Sequence, residues 1–186
     1  MRTNDIFFTS DSHFSHANII NLCKRPFKDV NEMNEALIEK WNAKVKPNNE
    51  VYHLGDFAYR SGPELEDIVN RLNGRIYLIK GNHEKAVLSN SKIKSRFEWI
   101  KDYYELSIND KDANNGIQKI CLFHYSQRSW NGSYRGAWHL FGHSHGNLDE
   151  EPWGLSFDIG VDSNNFEPLS YQEVKNIMKT KIPNPR

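Results

Sequence analysis

Four short segments of the sequence, each directly after an apolar run, carry side chains that bind divalent metal ions. They are Asp11-Ser12-His13, Gly55-Asp56, Gly81-Asn82-His83-Glu84 and Gly142-His143-Ser144-His145, and a further histidine, His124, closes the run I-C-L-F. Carboxylates, amide oxygens and imidazoles suit hard and borderline divalent cations. In open α/β sheets, ligand sites lie at the carboxyl ends of strands. We therefore expect these side chains to meet at one edge of a sheet and to form a metal centre.

Each of these segments also has an ordinary structural explanation. A D-x-H triplet arises by chance, Gly-Asp after a strand is a common turn, and Gly-Asn-His allows a turn in which Asn has a positive φ. A histidine at a strand end is usually half-buried and hydrogen-bonded. The G-H-S-H segment is more specific, because side chains two apart in an extended segment point to the same side. Five such coincidences in one chain favour a metal site over five unrelated turns.

The apolar pattern around these segments predicts the elements that must hold them. Strand-like runs cover residues 6–10, 51–54, 75–80, 102–108, 117–125, 137–141 and 155–161. Apolar residues at steps of three and four predict helices from Val30 and from Pro63, and Ser170 with Glu173 forms a capping box that starts a C-terminal helix. Strand, helix and strand joined by short loops favour parallel pairing, whereas the polar turn ending in Gly116 predicts a hairpin.

Composition limits the class of protein and of partner. The chain has 186 residues, and its 24 basic residues balance its 24 acidic ones, so tight binding of duplex nucleic acid is not expected. Two cysteines do not make a disulfide scaffold, and no apolar stretch approaches the length of a membrane span or of a signal-peptide core. These features predict a cytoplasmic protein that does not bind membranes. The length predicts one α/β domain over residues 1–186 with no room for a cap domain.

The order of the five motifs resembles that of the calcineurin-like metallophosphoesterases. The family pattern is D-x-H, G-D, G-N-H-[D/E], a strand-end His and G-H-x-H, and this chain has D-S-H, G-D-F, G-N-H-E, F-H-Y and G-H-S-H. The second motif lacks an additional acidic residue that is often present there, and Tyr125 follows the strand-end histidine. The resemblance implies a four-layer α/β/β/α sandwich with two mixed β-sheets, as in small prokaryotic or phage members of the family.

The resemblance also implies a dinuclear metal centre and a reaction. One ion would be held by Asp11, His13, Asp56 and His145, and the other by Asp56, Asn82, His124 and His143. A metal-bound hydroxide would attack a phosphomonoester or phosphodiester, and His83 would assist the leaving group. Two divalent ions, two carboxylates and a bridging hydroxide leave about one positive charge, which suits a phosphate anion. Mixed oxygen and nitrogen ligation leads us to expect manganese, with Fe, Zn, Co, Ni or Mg as alternatives.

Five further residues are candidates for contact with the substrate, namely His16, Arg25, Tyr125, Arg128 and Trp130. Arg25 would bind a phosphate through two hydrogen bonds, although a solvated loop charge is an equal alternative. An aromatic side chain beyond His124 would stack on the base of a nucleotide-like ester, but for Trp130 packing is slightly favoured. His16 would reach the pocket, or else cap a helix or support a ligand.

Two other functions stay open on the same fold. The first is a catalytically inactive protein-binding scaffold, which the complete motif set disfavours. The second is a nuclease acting on short oligonucleotides, which zero net charge does not oppose. The sequence predicts neither the oligomeric state nor the choice between monoester and diester.

Overall fold

Two mixed β-sheets form the framework of the chain. The computed structural model describes residues 3–148 and 153–183. The first sheet has the order β4-β3-β2-β1-β9, with β1 (Ile6–Thr9), β2 (Glu50–His53), β3 (Arg75–Ile79), β4 (Phe97–Lys101) and β9 (Leu169–Ser170). Strands β1 to β4 pair in parallel, and β9 runs antiparallel to β1.

The second sheet has the order β5-β6-β7-β8 and begins with a hairpin. Its strands are β5 (Tyr103–Asn109), β6 (Ile117–Phe123), β7 (Trp138–Phe141) and β8 (Ser156–Asp158). β5 and β6 are antiparallel, as the polar turn before Gly116 predicts, and β6, β7 and β8 are parallel. This arrangement confirms the predicted α/β class with two mixed sheets.

Six α-helices accompany the sheets in the described part of the chain, and most of them cover the first sheet. They are α1 (Ala17–Leu22), α2 (Val30–Lys44), α3 (Pro63–Arg71), α4 (Lys85–Leu88), α5 (Ser91–Lys94) and α6 (Tyr171–Met178). Pro63 takes the first helical position of α3, and the capping box of Ser170 and Glu173 begins α6, both as predicted. Helices α1, α4 and α5 and strands β4 and β9 are too short or too mixed in polarity to give a periodic signal, and the sequence pattern missed them.

The hydrophobic core divides into two clusters, one on each face of the first sheet. On one face, Val51 and Leu78 pack with Leu37 of α2 and Ile68 of α3. On the other face, residues from strands of both sheets form a second cluster, which includes Ile6, Phe8, Leu54, Ile120, Leu122 and Leu140. Because both faces are covered, the short strand β1 is buried along its whole length, and three of its four residues are apolar.

An irregular segment covers the outer face of the second sheet. The buried Trp130 ring lies 5.3 Å from the His139 ring, and the Cys121 thiol donates a hydrogen bond to the Asn131 carbonyl. This segment contains one 3-10 turn, Ser133–Arg135. Loop rather than regular helix therefore packs against His139 and Cys121 of this sheet.

The two sheets bring five strand ends together. Asp11, Asp56 and Asn82 follow the parallel strands β1, β2 and β3, and His124 and His143 follow the parallel strands β6 and β7. The Nδ1 atom of His124 lies 2.7 Å from the Leu54 carbonyl, which ties the end of β6 to the end of β2. Within residues 3–148 and 153–183, no helix has the length and apolar character needed to span a membrane.

Candidate metal centre

Six of the seven predicted metal ligands form two triads. The ligand atoms of Asp11, His13 and His145 all lie within 4.8 Å of one another, and so do those of Asp56, His124 and His143. Both groups combine one carboxylate with two imidazoles, a donor set that suits a divalent transition metal. Asp11 and His145 are 134 positions apart in the sequence, and the structure brings them into one cluster.

Asp56, a member of the second triad, also faces the first triad. Its Oδ2 atom is 3.5 Å from Nε2 of His13 and 3.6 Å from Nε2 of His124, and its Oδ1 atom accepts a hydrogen bond from the backbone N–H of His83. The Nε2 atom of His13 is buried and has no hydrogen-bond partner. Because buried polar atoms are nearly always paired, this orphaned nitrogen fits a cation bound between His13 and Asp56.

The seventh predicted ligand, Asn82, lies beside His124. The carbonyl of Leu54 can only accept, so Nδ1 of His124 carries a proton, and burial lowers the pKa of the ring and so favours its neutral form. Nε2 of His124 is then a lone-pair donor, yet the Asn82 Oδ1 atom lies only 3.1 Å from it. Two acceptors at this distance repel each other unless a cation lies between them, so the contact fits a metal site.

The backbone of the site is bent into an uncommon conformation. Five of the predicted ligands have positive φ: Asp11 (57°), His13 (51°), Asp56 (54°), His143 (69°) and His145 (49°). Non-glycine residues rarely occupy this region, and such strain concentrates at functional sites. At these five positions the chain turns sharply just after a strand, which directs the side chains towards a common point.

Glycines of the motifs provide the room for this crowding. A Cβ atom on Gly142 would collide with the Ser10 hydroxyl and the Asp11 carboxylate, and one on Gly81 would collide with Asp56. The Asp11 carboxylate also accepts two hydrogen bonds of 3.0 Å from the backbone N–H of His143. The G-N-H and G-H-x-H motifs therefore need glycine because a carboxylate packs against the backbone at that position.

Burial in the centre disfavours the charged forms of two predicted ligands, Asp11 and His13. Burial raises the pKa of Asp11 to about 8, and the nearby Asp158 and Asp56 carboxylates add to this while His145 opposes it. Burial, together with the neighbouring cationic groups of His145 and Arg25, lowers the pKa of His13 far below its usual range. Crowded carboxylates and neutral imidazoles are the environment that a divalent cation stabilises.

His83 lies at the centre but is separate from both triads. Its ring centroid is 5.5 Å from that of His13 and 5.9 Å from that of Tyr59. Glu84, the next residue, points away from this ring: its Oε1 atom accepts a hydrogen bond from the Phe57 N–H, and burial raises its pKa to about 7. The position of His83 leaves its imidazole available to a group bound at the centre.

His16 supports a predicted ligand. Its Nδ1 atom is 3.1 Å from Nδ1 of His13, and its ring stacks on that of Tyr59 at 3.9 Å with an interplanar angle of 7°. A neutral His16 accepts a hydrogen bond from Nδ1–H of His13, which leaves Nε2 of His13 facing Asp56. Of the alternatives that the sequence left open for His16, the contacts favour the support of a ligand.

Arg25 is committed to the interior of the protein rather than to a substrate. Its guanidinium donates to both carboxylate oxygens of Asp162 at 2.8 Å and to the carbonyls of Asp11 and Ser12 at 2.7 and 3.0 Å. The side chain is buried, and its donors are used within the protein. The prediction that Arg25 binds a substrate phosphate is therefore wrong. Its charge instead neutralises Asp162 beneath the first triad.

Asp162 is a site residue that the sequence pattern missed. One of its oxygens lies 2.7 Å from Nδ1 of His145, which directs Nε2 of that ring towards Asp11 and His13. Burial opposes charge on both groups, but their mutual contact raises the pKa of His145 and, with Arg25, lowers that of Asp162. The only signal in the sequence is the pair of aspartates in D-I-G-V-D, after β8.

Asp158, the first aspartate of that pair, holds the loop that carries His143 and His145. Its Oδ2 atom accepts hydrogen bonds from the Ser144 hydroxyl at 2.6 Å and from the Gly146 N–H at 3.1 Å. The G-H-S-H segment therefore uses its serine to fix the loop, while its histidines face the triads. Hydrogen bonds of this kind pre-orient ligands before a metal binds.

We expect the Arg25→Met variant to lose stability rather than substrate affinity. Removing one partner of a buried ion pair typically costs about 3–5 kcal/mol in the free energy of unfolding. Urea denaturation of the metal-free protein measures this change, with the exposed Lys28→Met as a control that shifts the unfolding free energy by no more than about 0.5 kcal/mol. Equal stability of Arg25→Met and wild type would contradict a structural role.

The other three substrate candidates lie in different settings. Tyr125 is 39% exposed, and its ring is 4.7 Å from that of His143, so it borders the second triad. The Arg128 guanidinium lies 5.1 Å from the Trp153 ring, at the surface. Trp130 is buried and its Nε1–H donates to the Ala137 carbonyl, so the prediction of substrate contact is wrong for Trp130 and the packing alternative holds.

The fold and the two carboxylate-imidazole triads define a class of metal-dependent hydrolase, and comparison with known proteins gives the family. The model of the calcineurin-like phosphoesterases matches residues 5–130. The chain belongs to this family, which hydrolyses phosphoric esters and typically uses divalent metals. The loop with His143 and His145 lies beyond the matched residues, yet it contributes to both triads.

Two similar proteins extend over nearly the whole chain. The uncharacterized protein MJ1445 of Methanocaldococcus jannaschii is 35% identical over 190 residues, which cover 98% of this chain and 96% of that protein. The crystal structure of the protein of unknown function AQ665 from Aquifex aeolicus is 27% identical and superimposes with a TM-score of 0.69, covering 92% of this chain and 98% of that one. The fold is therefore shared along the length of both proteins.

Proposed function

We propose that the chain is a dinuclear-metal-dependent phosphoesterase that hydrolyses a phosphomonoester or a phosphodiester. The observation that carries this proposal is the position of Asp56, whose Oδ2 atom is nearly equidistant from one imidazole of each triad. A shared carboxylate is what holds two ions at roughly 3.5–4 Å, the spacing used in two-metal phosphoryl hydrolysis. The orphaned Nε2 atom of His13 supports the same arrangement.

The ligand assignment gives each ion four protein donors. Asp11, His13, Asp56 and His145 would hold one ion, and Asp56, Asn82, His124 and His143 the other. When bound, the ions supply Lewis acidity, which lowers the pKa of a coordinated water towards about 7 and polarises the phosphate. Imidazole with carboxylate and amide oxygen favours manganese as the activating ion. Only two of the seven ligands are anionic, so the centre retains positive charge for an anionic ester.

We assign His83 to the leaving group. Its backbone N–H is hydrogen-bonded to Asp56, so the residue is held at the point where the triads meet, while its ring remains outside both. A protonated imidazole at this place would donate a proton to the departing alkoxide, and the exposed phenol ring of Tyr59 borders the same side. The substrate alcohol is therefore expected to depart on the side of His83 and Tyr59.

Metal removal tests the proposal most directly. Treatment with EDTA followed by dialysis should abolish turnover of p-nitrophenyl phosphate or bis-p-nitrophenyl phosphate, and added Mn²⁺ should restore it, because the centre has no other source of Lewis acidity. Elemental analysis of the same samples should show about two ions per chain at full activity. The proposal fails if a metal-free sample hydrolyses both esters at the original rate.

A further inference from the structure

A cleft of about 770 Å³ opens beside the second triad. It begins at Gly81 and Asn82, and Lys85 and Leu88 of α4 form one of its walls. Tyr125, which follows β6, lies on the opposite wall and contacts the rings of both His124 and His143 at 4.8 and 4.7 Å. The volume is in the range of sites for small organic ligands. Because the cleft adjoins the second triad, a ligand whose phosphate lies at the metal centre would place another of its groups in the cleft.

The cleft and the His83 imidazole lie on different sides of the centre. The residues that line the cleft include Gly81, Asn82 and Glu84 but not His83. The ring of His83 instead faces the first triad, 5.5 Å from the His13 ring and 6.2 Å from the His16 ring. In an in-line displacement the leaving group departs opposite the attacking oxygen, and any other substituent projects to the side. A metal centre with one space on the side of His83 and another in the cleft has room for a phosphate that carries two substituents.

The walls of the cleft favour an aromatic group with an additional negative charge. Tyr125 and Leu88 are 39% and 43% exposed and provide apolar surface against which a ring would pack. Lys80 is paired with Asp102 at 2.6 Å, whereas Lys85 is exposed and pairs with no carboxylate among the residues that the structure describes. Glu84 also lines the cleft, but its side chain is buried.

We infer that the substrate is a phosphodiester whose retained half is a nucleoside-like group bearing a second phosphate, held in this cleft. The inference rests on the proposed function. In the reaction the oxygen of water forms a bond to phosphorus, and the bond to the leaving alkoxide on the His83 side breaks. That alkoxide receives a proton, and the ester bond to the retained half remains intact in the product.

Three esters with the same leaving group test the inference. They are methyl p-nitrophenyl phosphate, the p-nitrophenyl ester of thymidine 5′-monophosphate, and the same ester with an added 3′-phosphate. All release p-nitrophenolate, so differences in kcat/KM reflect the retained half. We expect kcat/KM to rise along the series in the Mn²⁺-loaded protein, by about tenfold for the nucleoside and by about threefold to fivefold for the second phosphate.

Two variants and two matched controls locate the effect. Leu88→Asn should lower the ratio of kcat/KM for the nucleoside ester to that for methyl p-nitrophenyl phosphate by about fivefold, whereas Leu22→Asn, at an exposed leucine of α1, should not change it. Lys85→Ala should remove most of the gain from the 3′-phosphate, whereas Lys94→Ala in α5 should retain that gain. Calorimetric titration with thymidine 3′,5′-bisphosphate should show the same weakening in Leu88→Asn and Lys85→Ala without turnover.

The outcomes separate this inference from the proposed function. Equal kcat/KM on all three esters, or equal losses on all three in the cleft variants, would overturn the assignment of the cleft while leaving metal-dependent phosphoesterase activity in place. Absence of metal-dependent turnover on every ester would instead contradict the proposed function and, with it, the inference.

Discussion

Replacing Asp56 with asparagine is expected to cost the protein both metal ions and nearly all of its turnover. The Oδ2 atom of Asp56 is the carboxylate oxygen that faces both His13 and His124, at 3.5 and 3.6 Å. An amide keeps the size of the side chain and an acceptor for the His83 N–H, but it removes the negative charge shared by the two ions. Removing a hydrogen-bond partner that supports a ligand lowers metal affinity by about 10–100-fold. We expect the loss of metal affinity in Asp56→Asn to be larger than this.

Asn82→Ala is the matched comparison, because Asn82 is exposed and, in the proposed assignment, would hold one ion only. Elemental analysis after dialysis should find about two ions in wild type, most of the ion at the first triad still present in Asn82→Ala, and less than one ion in Asp56→Asn. Circular dichroism shows whether the Asp56→Asn chain is folded. Two full equivalents of metal in Asp56→Asn would contradict the bridging role.

The convergence of the site could be predicted from the sequence because it follows from topology. Each motif comes directly after an apolar run, and parallel strands end at the same edge of their sheet. Asp11, Asp56 and Asn82 therefore had to lie near one another once β1, β2 and β3 were expected to be parallel. The sequence pattern says less about how His143 and His145 reach the same edge, because their position depends on how the second sheet packs against the first.

The side chains that support the ligands could not be predicted in the same way. Arg25 and Asp162 are 137 positions apart, and nothing in either local sequence distinguishes a buried ion pair from two solvated charges. Trp130 was ambiguous for a similar reason, because an aromatic residue in a polar loop packs inwards or faces a ligand according to what lies beneath it. Here the His139 ring lies beneath it, and that ring belongs to β7.

Short elements were missed for a physical reason as well. Strand β4 (F-E-W-I-K) has too little alternation to separate it from a loop, and its pairing with β3 carries a register shift between Ile76 and Tyr77. Strand β9 has only two residues and exists because it pairs with β1. Such elements are set by tertiary contacts rather than by local periodicity.

We expect the His83→Ala variant to keep its metals and to turn over about 10²–10⁴-fold more slowly, which is the usual contribution of general acid catalysis. The reason is that His83 contacts Asp56 through its backbone N–H, which alanine preserves, while its ring lies outside both triads. Metal content of His83→Ala should therefore equal that of wild type. This separates the variant from Asp56→Asn, in which the loss of turnover follows the loss of metal.

The dependence on the leaving group identifies what the His83 ring does. An alkyl alkoxide is a strong base and needs a proton as it departs, whereas p-nitrophenolate is stable without one. The fall in kcat from wild type to His83→Ala should thus be large for an alkyl phosphate ester and much smaller for the p-nitrophenyl ester of the same phosphate. Equal losses on the two esters would mean that His83 positions or stabilises the phosphate electrostatically. Loss of one ion in His83→Ala would instead place the residue among the groups that hold the metal, and the leaving-group assignment would be wrong.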